Sequence, residues 1–304
     1  MFVLPSFVKA RVGRGLYRAV MGSRRLVGST ETEVVCTREG IHWHLNLNEA
    51  LELGIYVFGA FEPDVRRAAD RILTPGMIAL DVGANVGSHA LYMGRLVGAN
   101  GRVYAFEPTR YAVDKLTRNI ELNRWARGVV VPVWAFVGDA ATVAPKAVYS
   151  SWDLDHLELG HPDHGGHYKS AEGAAVVTID SFVREHRLPR VDLIKIDVDG
   201  YDTSVVRGAA ETLERFRPHV LLELCQYVLE ECGTSVRELI GTLGEHGYTF
   251  RTMRLGALPT DLDEIARGVP KRGIMNVVGV PPAGPPASAR PEVAAASGRP
   301  RTDR

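Results

Sequence analysis

The sequence is poor in cysteine. Only Cys36, Cys225 and Cys232 occur in 304 residues, and no Cys-x-x-Cys pair is present. That excludes a disulfide framework or a zinc ribbon and leads us to expect a reducing, cytoplasmic setting. Long apolar runs are also missing. No stretch approaches the roughly 20 residues that span a bilayer. Lys9, Arg11, Arg14 and Arg18 interrupt the apolar residues that a secretory leader would need. Nor is there an excess of either charge: 36 basic residues balance 36 acidic ones, so no chain-wide pull toward nucleic acid is expected. What remains is ordinary globular composition, 45% hydrophobic, in a chain long enough for one large domain with appendages.

The charge is unevenly spread. Residues 1–28 hold six basic residues and no acidic one, with Leu4, Phe7, Val8, Val12, Leu16, Tyr17 and Val20 spaced as one helical face. We expect a helix packed on the domain; a helix touching a membrane surface or a partner is the second reading. Residues 33–58 read as short strands, because 41–47 alternate apolar and polar side chains, and they form with the helix an N-terminal cap over 1–62. From 63 to 280 the pattern alternates. Helices are expected at 63–73, 89–97, 112–122, 203–215 and 236–246, and strands at 77–80, 102–106, 129–136, 191–196, 219–224, 248–253 and 274–280. Such alternation implies a parallel sheet with helices on both faces, an α/β fold. Residues 281–304 are rich in Pro, Ala and Arg and read as a disordered tail.

The chemistry starts where the first strand of that sheet ends, at Asp81-Val82-Gly83-Ala84-Asn85-Val86-Gly87. Open α/β sheets bind ligands beyond the carboxyl ends of their strands. Gly83 and Gly87 permit a tight turn, and Ser88 or Asn85 is placed to cap the next helix. A dinucleotide fingerprint would need glycine where Asn85 stands. A carboxylate at Asp81 would repel pyrophosphate but suit a cationic amine or sulfonium. S-adenosylmethionine carries both cations and no phosphate. About 20 residues beyond the turn, Glu107 ends the second strand, where a carboxylate accepts a ribose diol. Gly138 and Asp139 end the third and are candidates for the adenine edge. The cofactor set is therefore Asp81, Gly83, Ala84, Asn85, Gly87, Glu107, Gly138 and Asp139. A nicotinamide-dependent oxidoreductase is the competing class. Asn85 disfavours it, and its Tyr-x3-Lys pair occurs only as Tyr111 and Lys115, too early in the fold.

The chain resembles the FkbM family of methyltransferases. The resemblance rests on Gly59-Ala60-Phe61-Glu62-Pro63, the Asp81–Gly87 run, Val103-Tyr104-Ala105-Phe106-Glu107-Pro108, Asn119 and Asn123, Thr178-Ile179-Asp180-Ser181-Phe182, and Ile194-Lys195-Ile196-Asp197-Val198-Asp199-Gly200. It implies a Rossmann-like class I methyltransferase fold, with a seven-stranded, mostly parallel sheet whose last strand is antiparallel and a small N-terminal cap. It also implies S-adenosylmethionine as methyl donor and O-methylation of a hydroxyl on a small molecule or sugar, in natural-product or glycan biosynthesis. N-methylation is the nearest alternative. The family often has Glu where this chain has Asp199.

Methyl transfer needs acceptor oxygen, methyl and sulfur in line, and a base for the departing proton. Asp197, Lys195 and Asp199, at the end of the fourth strand, are the catalytic candidates. Alternation puts all three on one side if the chain stays extended. Glu62, Glu223 and His156 are candidates for acceptor binding, His156 in a His-rich loop with His161, His164 and His167. Metal ligation by that loop, or a divalent cation elsewhere, is not favoured. No nucleic-acid partner is expected, and a homo-oligomer is compatible with the composition.

Overall fold

The computed structural model describes residues 6–150, 153–155, 166–271 and 273–283. His156, His161 and His164 of the histidine loop, and 284–304 of the expected tail, lie outside the described residues.

Chain order is α1 (Ser6–Leu26), β1 (Glu33–Arg38), β2 (Ile41–Asn46), α2 (Ala50–Phe58), α3 (Pro63–Ile72), β3 (Ile78–Val82), α4 (Ala90–Val97), β4 (Arg102–Glu107), α5 (Arg110–Leu122) and β5 (Val130–Val137). Then come β6 (Ala147–Ser150), β7 (His167–Ser170), β8 (Ala175–Val177), α6 (Ile179–Glu185), β9 (Leu193–Ile196), α7 (Asp202–Arg207), α8 (Ala210–Phe216) and β10 (His219–Leu224). The last are α9 (Gln226–Glu231), α10 (Val236–Glu245), β11 (Thr249–Thr252), α11 (Leu262–Gly268) and β12 (Met275–Val280). No described helix is long and apolar enough to cross a membrane.

The main sheet has the strand order β11-β12-β10-β9-β3-β4-β5-β8. Of the described pairings only those of β12 in this sheet are antiparallel, as expected for the last strand. The sheet has eight strands where seven were expected. The extra one, β8, is a three-residue parallel edge against the end of β5 and too short to show a period. Order reverses between β3 and β9, so a crevice opens at their carboxyl ends.

Strand alternation splits the core into two layers. Leu80, Val82, Phe106, Ile194, Ile196 and Leu222 face one side and pack against α6, α7 and α10, with Phe182 edge-on to Phe106 at 4.7 Å. Ala79, Val103, Leu193 and Leu221 face the other, against Leu91, Leu116 and the cap residues Ile41, Trp43 and Leu45. Each such fully buried Val, Leu, Ile or Phe side chain contributes about 1.5–3 kcal/mol. Asp81, Lys195 and Glu223 share parity with Ala79, Leu193 and Leu221, so they sit on the cap-facing side.

The cap is bound to this layer by amides. Asn119 on α5 and Asn123 just after it accept the backbone N–H of His44 (2.8 Å) and His42 (2.9 Å), and Asn123 donates back to the His42 carbonyl. These side chains replace a neighbouring strand along the free edge of β2. Asn119 also donates to the Val86 carbonyl in the glycine turn (3.0 Å). Lys115 and Glu52 make a buried ion pair at 2.6 Å; burial pushes Glu52 up to about 7 against that lysine. Lys115, with Tyr111 bonded to Glu49, therefore ties cap to domain and serves no nicotinamide.

Two further expectations need correction. Residues 50–58 are helical, not extended, because Leu53 and Ile55 bury against the core while Glu52 reaches the Asn46 amide. The single helix expected over 203–215 is two. Asp180 accepts the N–H groups of Glu211 and Thr212 and so caps a new helix after Gly208. Helices α6, α9 and α11 and the hairpin β6–β7 had no strong periodic signal.

Candidate active site

The glycine turn after β3 is shaped by its neighbours. Gly83 and Gly87 have φ of 81° and 93°. A Cβ on Gly83 would lie 1.9 Å from the Asp197 carbonyl oxygen, and one on Gly87 would lie 2.6 Å from Leu116 Cδ1. Gly83 thus lets the β3 turn lie directly against the β9 turn. Asn85 is left-handed too, with φ 48°. Its side chain accepts from the Val86 N–H, and neither it nor Ser88 caps α4, whose first flanking residue, His89, makes no side-chain cap.

Glu107 is oriented by the same loop. One oxygen accepts the Asn85 N–H (3.0 Å), the other the Thr109 N–H (2.9 Å) and hydroxyl (2.6 Å). The oxygen that accepts Asn85 keeps a lone pair for a ligand hydroxyl, while both lone pairs of the other are taken by Thr109. Burial pushes Glu107 up, against those hydrogen bonds. Ala84 donates its N–H to the Phe106 carbonyl (2.9 Å), placing it beside Glu107. At the end of β5, Gly138 donates to Val177. Asp139 accepts from Ala141 N–H and the Thr142 hydroxyl, so part of its carboxylate is spent on its own turn.

Register brings the ionisable groups together. Asp81 pairs with Lys195 across β3 and β9, and Glu223 with Asn276 across β10 and β12. Asp81 is 0% exposed, and neither carboxylate oxygen has a hydrogen-bond partner. Its nearest cation, Lys195 Nζ, lies at 3.6 Å. A buried carboxylate without donors is costly and is poised for a cationic or hydroxylic ligand. Lys195 Nζ also holds Asp197 Oδ2 at 3.1 Å. Burial would lower this lysine, but Asp197, Asp81 and Glu62 outweigh it and raise it, so it stays an ammonium.

Glu62 enters from the N-terminus of α3 with a left-handed φ of 46°. Such backbone costs of order 1 kcal/mol or more and clusters at functional sites. Its carboxylate is held by His89 Nε2 (3.3 Å) and Asn276 Nδ2 (3.0 Å). Burial alone would raise Glu62, yet His89, Lys195 and Asn276 together hold it below its ordinary value. Sequence reasoning missed His89 and Asn276. Neither carries a spacing signal, since they lie 27 and 214 residues from Glu62.

After Asp197 the chain leaves the extended form. Asp199 has φ 47° and Gly200 follows at 99°, so the expected continuous alternation stops there. Asp199 is exposed, yet close enough to Asp197, Asp202 and Glu107 to feel their charges. The surrounding protein and the charges of Asp197, Asp202 and Glu107 push it up to about 8. Burial and Asp197 push Asp202, also missed in the sequence, up to about 6. Burial and then Asp197 raise Glu223 well above its usual range. One oxygen each of Glu62, Asp197 and Glu223 lie within 4.8 Å of one another, lining a space of about 10 Å³, room for one water or ion. These three could hold a divalent cation, although Lys195 already supplies positive charge there. His167, the one described histidine of the loop, lies on β7.

A doubly wound sheet with a carboxylate-rimmed crevice at its switch point, one buried lysine and no pyrophosphate turn defines a Rossmann-like class I methyltransferase. The chain belongs to the family of the methyltransferase FkbM domain, whose model matches residues 81–250, and its methyl donor is S-adenosylmethionine. A similar curated protein is the hexuronic acid methyltransferase AglP of Haloferax volcanii, 29% identical over 137 residues, 44% of this chain and 50% of that protein. The match thus spans half the length of that relative. Another is the methyltransferase sdnD of Sordaria araneosa, 24% identical over 190 residues, 52% of this chain and 73% of that protein. Among solved structures, Trm5b from Pyrococcus abyssi is 13% identical, with 83% of this chain and 56% of that one covered at a TM-score of 0.42. Aeropyrum pernix fibrillarin, solved with natively bound S-adenosyl-L-methionine, is 17% identical, with 82% of each chain covered at a TM-score of 0.40.

Proposed function

We propose that the protein methylates a hydroxyl oxygen of a sugar or another small molecule. The observation that carries this reading is the crowding of Asp81, Asp197, Asp199, Glu62 and Glu223 around a single buried ammonium, Lys195. Asp199 and Glu223, pushed up by the surrounding protein and by neighbouring carboxylates, mark a site that favours an incoming cation. The orphaned oxygens of Asp81 and the turn that Gly83 permits fit S-adenosylmethionine. Gly83, Ala84, Asn85 and Gly87 line its methionine side, Glu107 takes the ribose diol, and Gly138 with Asp139 borders the adenine. When bound, it supplies an electrophilic methyl group.

The chain itself must align the acceptor and receive its proton. Lys195 stays protonated, so it is no base; it pins Asp197 Oδ2 and leaves Oδ1 to accept the hydroxyl proton. Glu62, oriented by His89 and Asn276, and Glu223 flank the acceptor. Asp199, pushed up to about 8 by the surrounding protein and the charges of Asp197, Asp202 and Glu107, adds a carboxyl that a bound sulfonium would ionise. A hexuronic acid, the substrate class in the name of AglP, is a first acceptor to try.

The test uses methyl-labelled S-adenosylmethionine with a panel of uronic acids, neutral sugars and hydroxylated small molecules. The expected product is an alkali-stable methyl ether. Asp197→Asn should lower turnover at saturating cofactor by about 10²–10⁴-fold while cofactor affinity stays within a few-fold. Label on nitrogen, or wild-type turnover in Asp197→Asn, would sink the reading.

A further inference from the structure

Helix α1 takes no part in the crevice, and its two sides differ. The inner side is occupied: Leu16, Tyr17, Val20 and Met21 pack on Leu47, Leu53 and Leu154. Arg14 donates to the Leu154 carbonyl at 3.3 Å, and Arg24 to the Ser29 hydroxyl at 2.8 Å. On the outer side, Arg11, Arg18 and Arg25 follow one another every seven residues, two helical turns apart. They form one row about 21 Å long. All three are exposed, and among the described residues none has an ion-pair partner. Beside the row run the exposed small residues Gly15, Ala19 and Gly22. Val12 and Leu26 on the helix, and Val27 in the turn just beyond it, are 61%, 88% and 81% exposed.

The charge of the whole chain is split the same way. Residues 1–28 carry six basic residues and no acidic one, which leaves 30 basic against 36 acidic in the rest. A chain of zero net charge is thus positive at one end and negative over its body.

We propose that the outer face of α1 docks on an anionic bilayer surface. A straight row of guanidinium groups matches a plane of phosphate headgroups, to which arginine offers paired donors. The glycines and Ala19 let the backbone lie close to that plane. Val12, Leu26 and Val27 enter the shallow apolar margin, as on helices that lie in the interface. A nucleic-acid backbone would satisfy the arginines but would leave those three apolar side chains in water. The negative excess of the body is repelled by the same surface and turns α1 toward it.

Co-sedimentation of the full chain with vesicles tests this. Wild-type protein should pellet with phosphatidylcholine containing about a third phosphatidylglycerol, not with phosphatidylcholine alone, and should be released near 0.5 M salt. The triple variant Arg11→Gln, Arg18→Gln, Arg25→Gln should lose roughly a hundredfold in vesicle affinity, with its thermal midpoint and cofactor binding unchanged. Leu26→Ser should lose a few-fold. No pelleting with anionic vesicles, or undiminished affinity in the triple variant, overturns the proposal. So does a short DNA duplex that binds tighter than the vesicles at the same ionic strength, which would assign the row to nucleic acid.

Discussion

The two rims of the crevice are built on different principles. On the β3–β4 rim, Glu107, assigned to the cofactor, is held by two adjoining turns, through the Asn85 N–H and through Thr109. On the β9–β10 rim the groups come from four distant segments, through Glu62, Asp197, Glu223 and Asn276, and their charges are in conflict. Local hydrogen bonds preorganise the first rim. Burial and like charge load the second, and Lys195 joins the two through Asp81 and Asp197.

The contrast can be broken most severely at Gly83. Gly83→Ala drives a Cβ into backbone at a positive φ and should cost about 3 kcal/mol or more, a fall of roughly 6–12 °C in thermal midpoint. Gly87→Ala, which meets the mobile end of Leu116, should cost visibly less. Equal losses in calorimetry would mean that the contact between the two turns is not what demands Gly83.

The next effect separates the rims by what each controls. Asp81→Asn should weaken S-adenosylmethionine binding by about tenfold, the loss of roughly 1.4 kcal/mol of charge attraction. Glu223→Gln should leave binding within a few-fold and lower turnover instead. Titration calorimetry and turnover at saturating cofactor distinguish them, and the reverse pattern would exchange the roles of the rims.

The smallest effect is the pH dependence of cofactor binding. The surrounding protein and the charges of Asp197, Asp202 and Glu107 push the carboxyl of Asp199, itself exposed, up to about 8. A bound cation favours the carboxylate, so binding expels the proton. Affinity should therefore rise from pH 6 to 8, by about tenfold if one proton dominates, and level off above 8. Calorimetry in two buffers of different ionisation enthalpy should record proton release, and Asp199→Asn should abolish it. An affinity independent of pH would show that the crowding does not act on the cofactor.

Legibility followed the same division. The glycine turn at Asp81–Gly87 could be anticipated because the residues that shape it are consecutive, and Glu107 because it ends the next strand. Asn119 and Asn123 matched the family pattern, but that they clamp β2 is visible only once α5 lies beside the hairpin. Asp180 likewise proved to be the cap of α8. His89 and Asn276 gave no signal, since a single polar residue in an apolar context acquires meaning only from its neighbour in space.

By itself the sequence determined the alternation of strands and helices, the glycine turn after β3, and the charge asymmetry of the N-terminal helix. These follow from side-chain periodicity, from backbone freedom at glycine and from composition, all local properties. The tertiary structure decided which carboxylates share a crevice, that Lys195 remains an ammonium, and that neighbouring charges push Asp199 up. Those outcomes depend on burial and on distances between residues far apart in the chain, and strand register sets both.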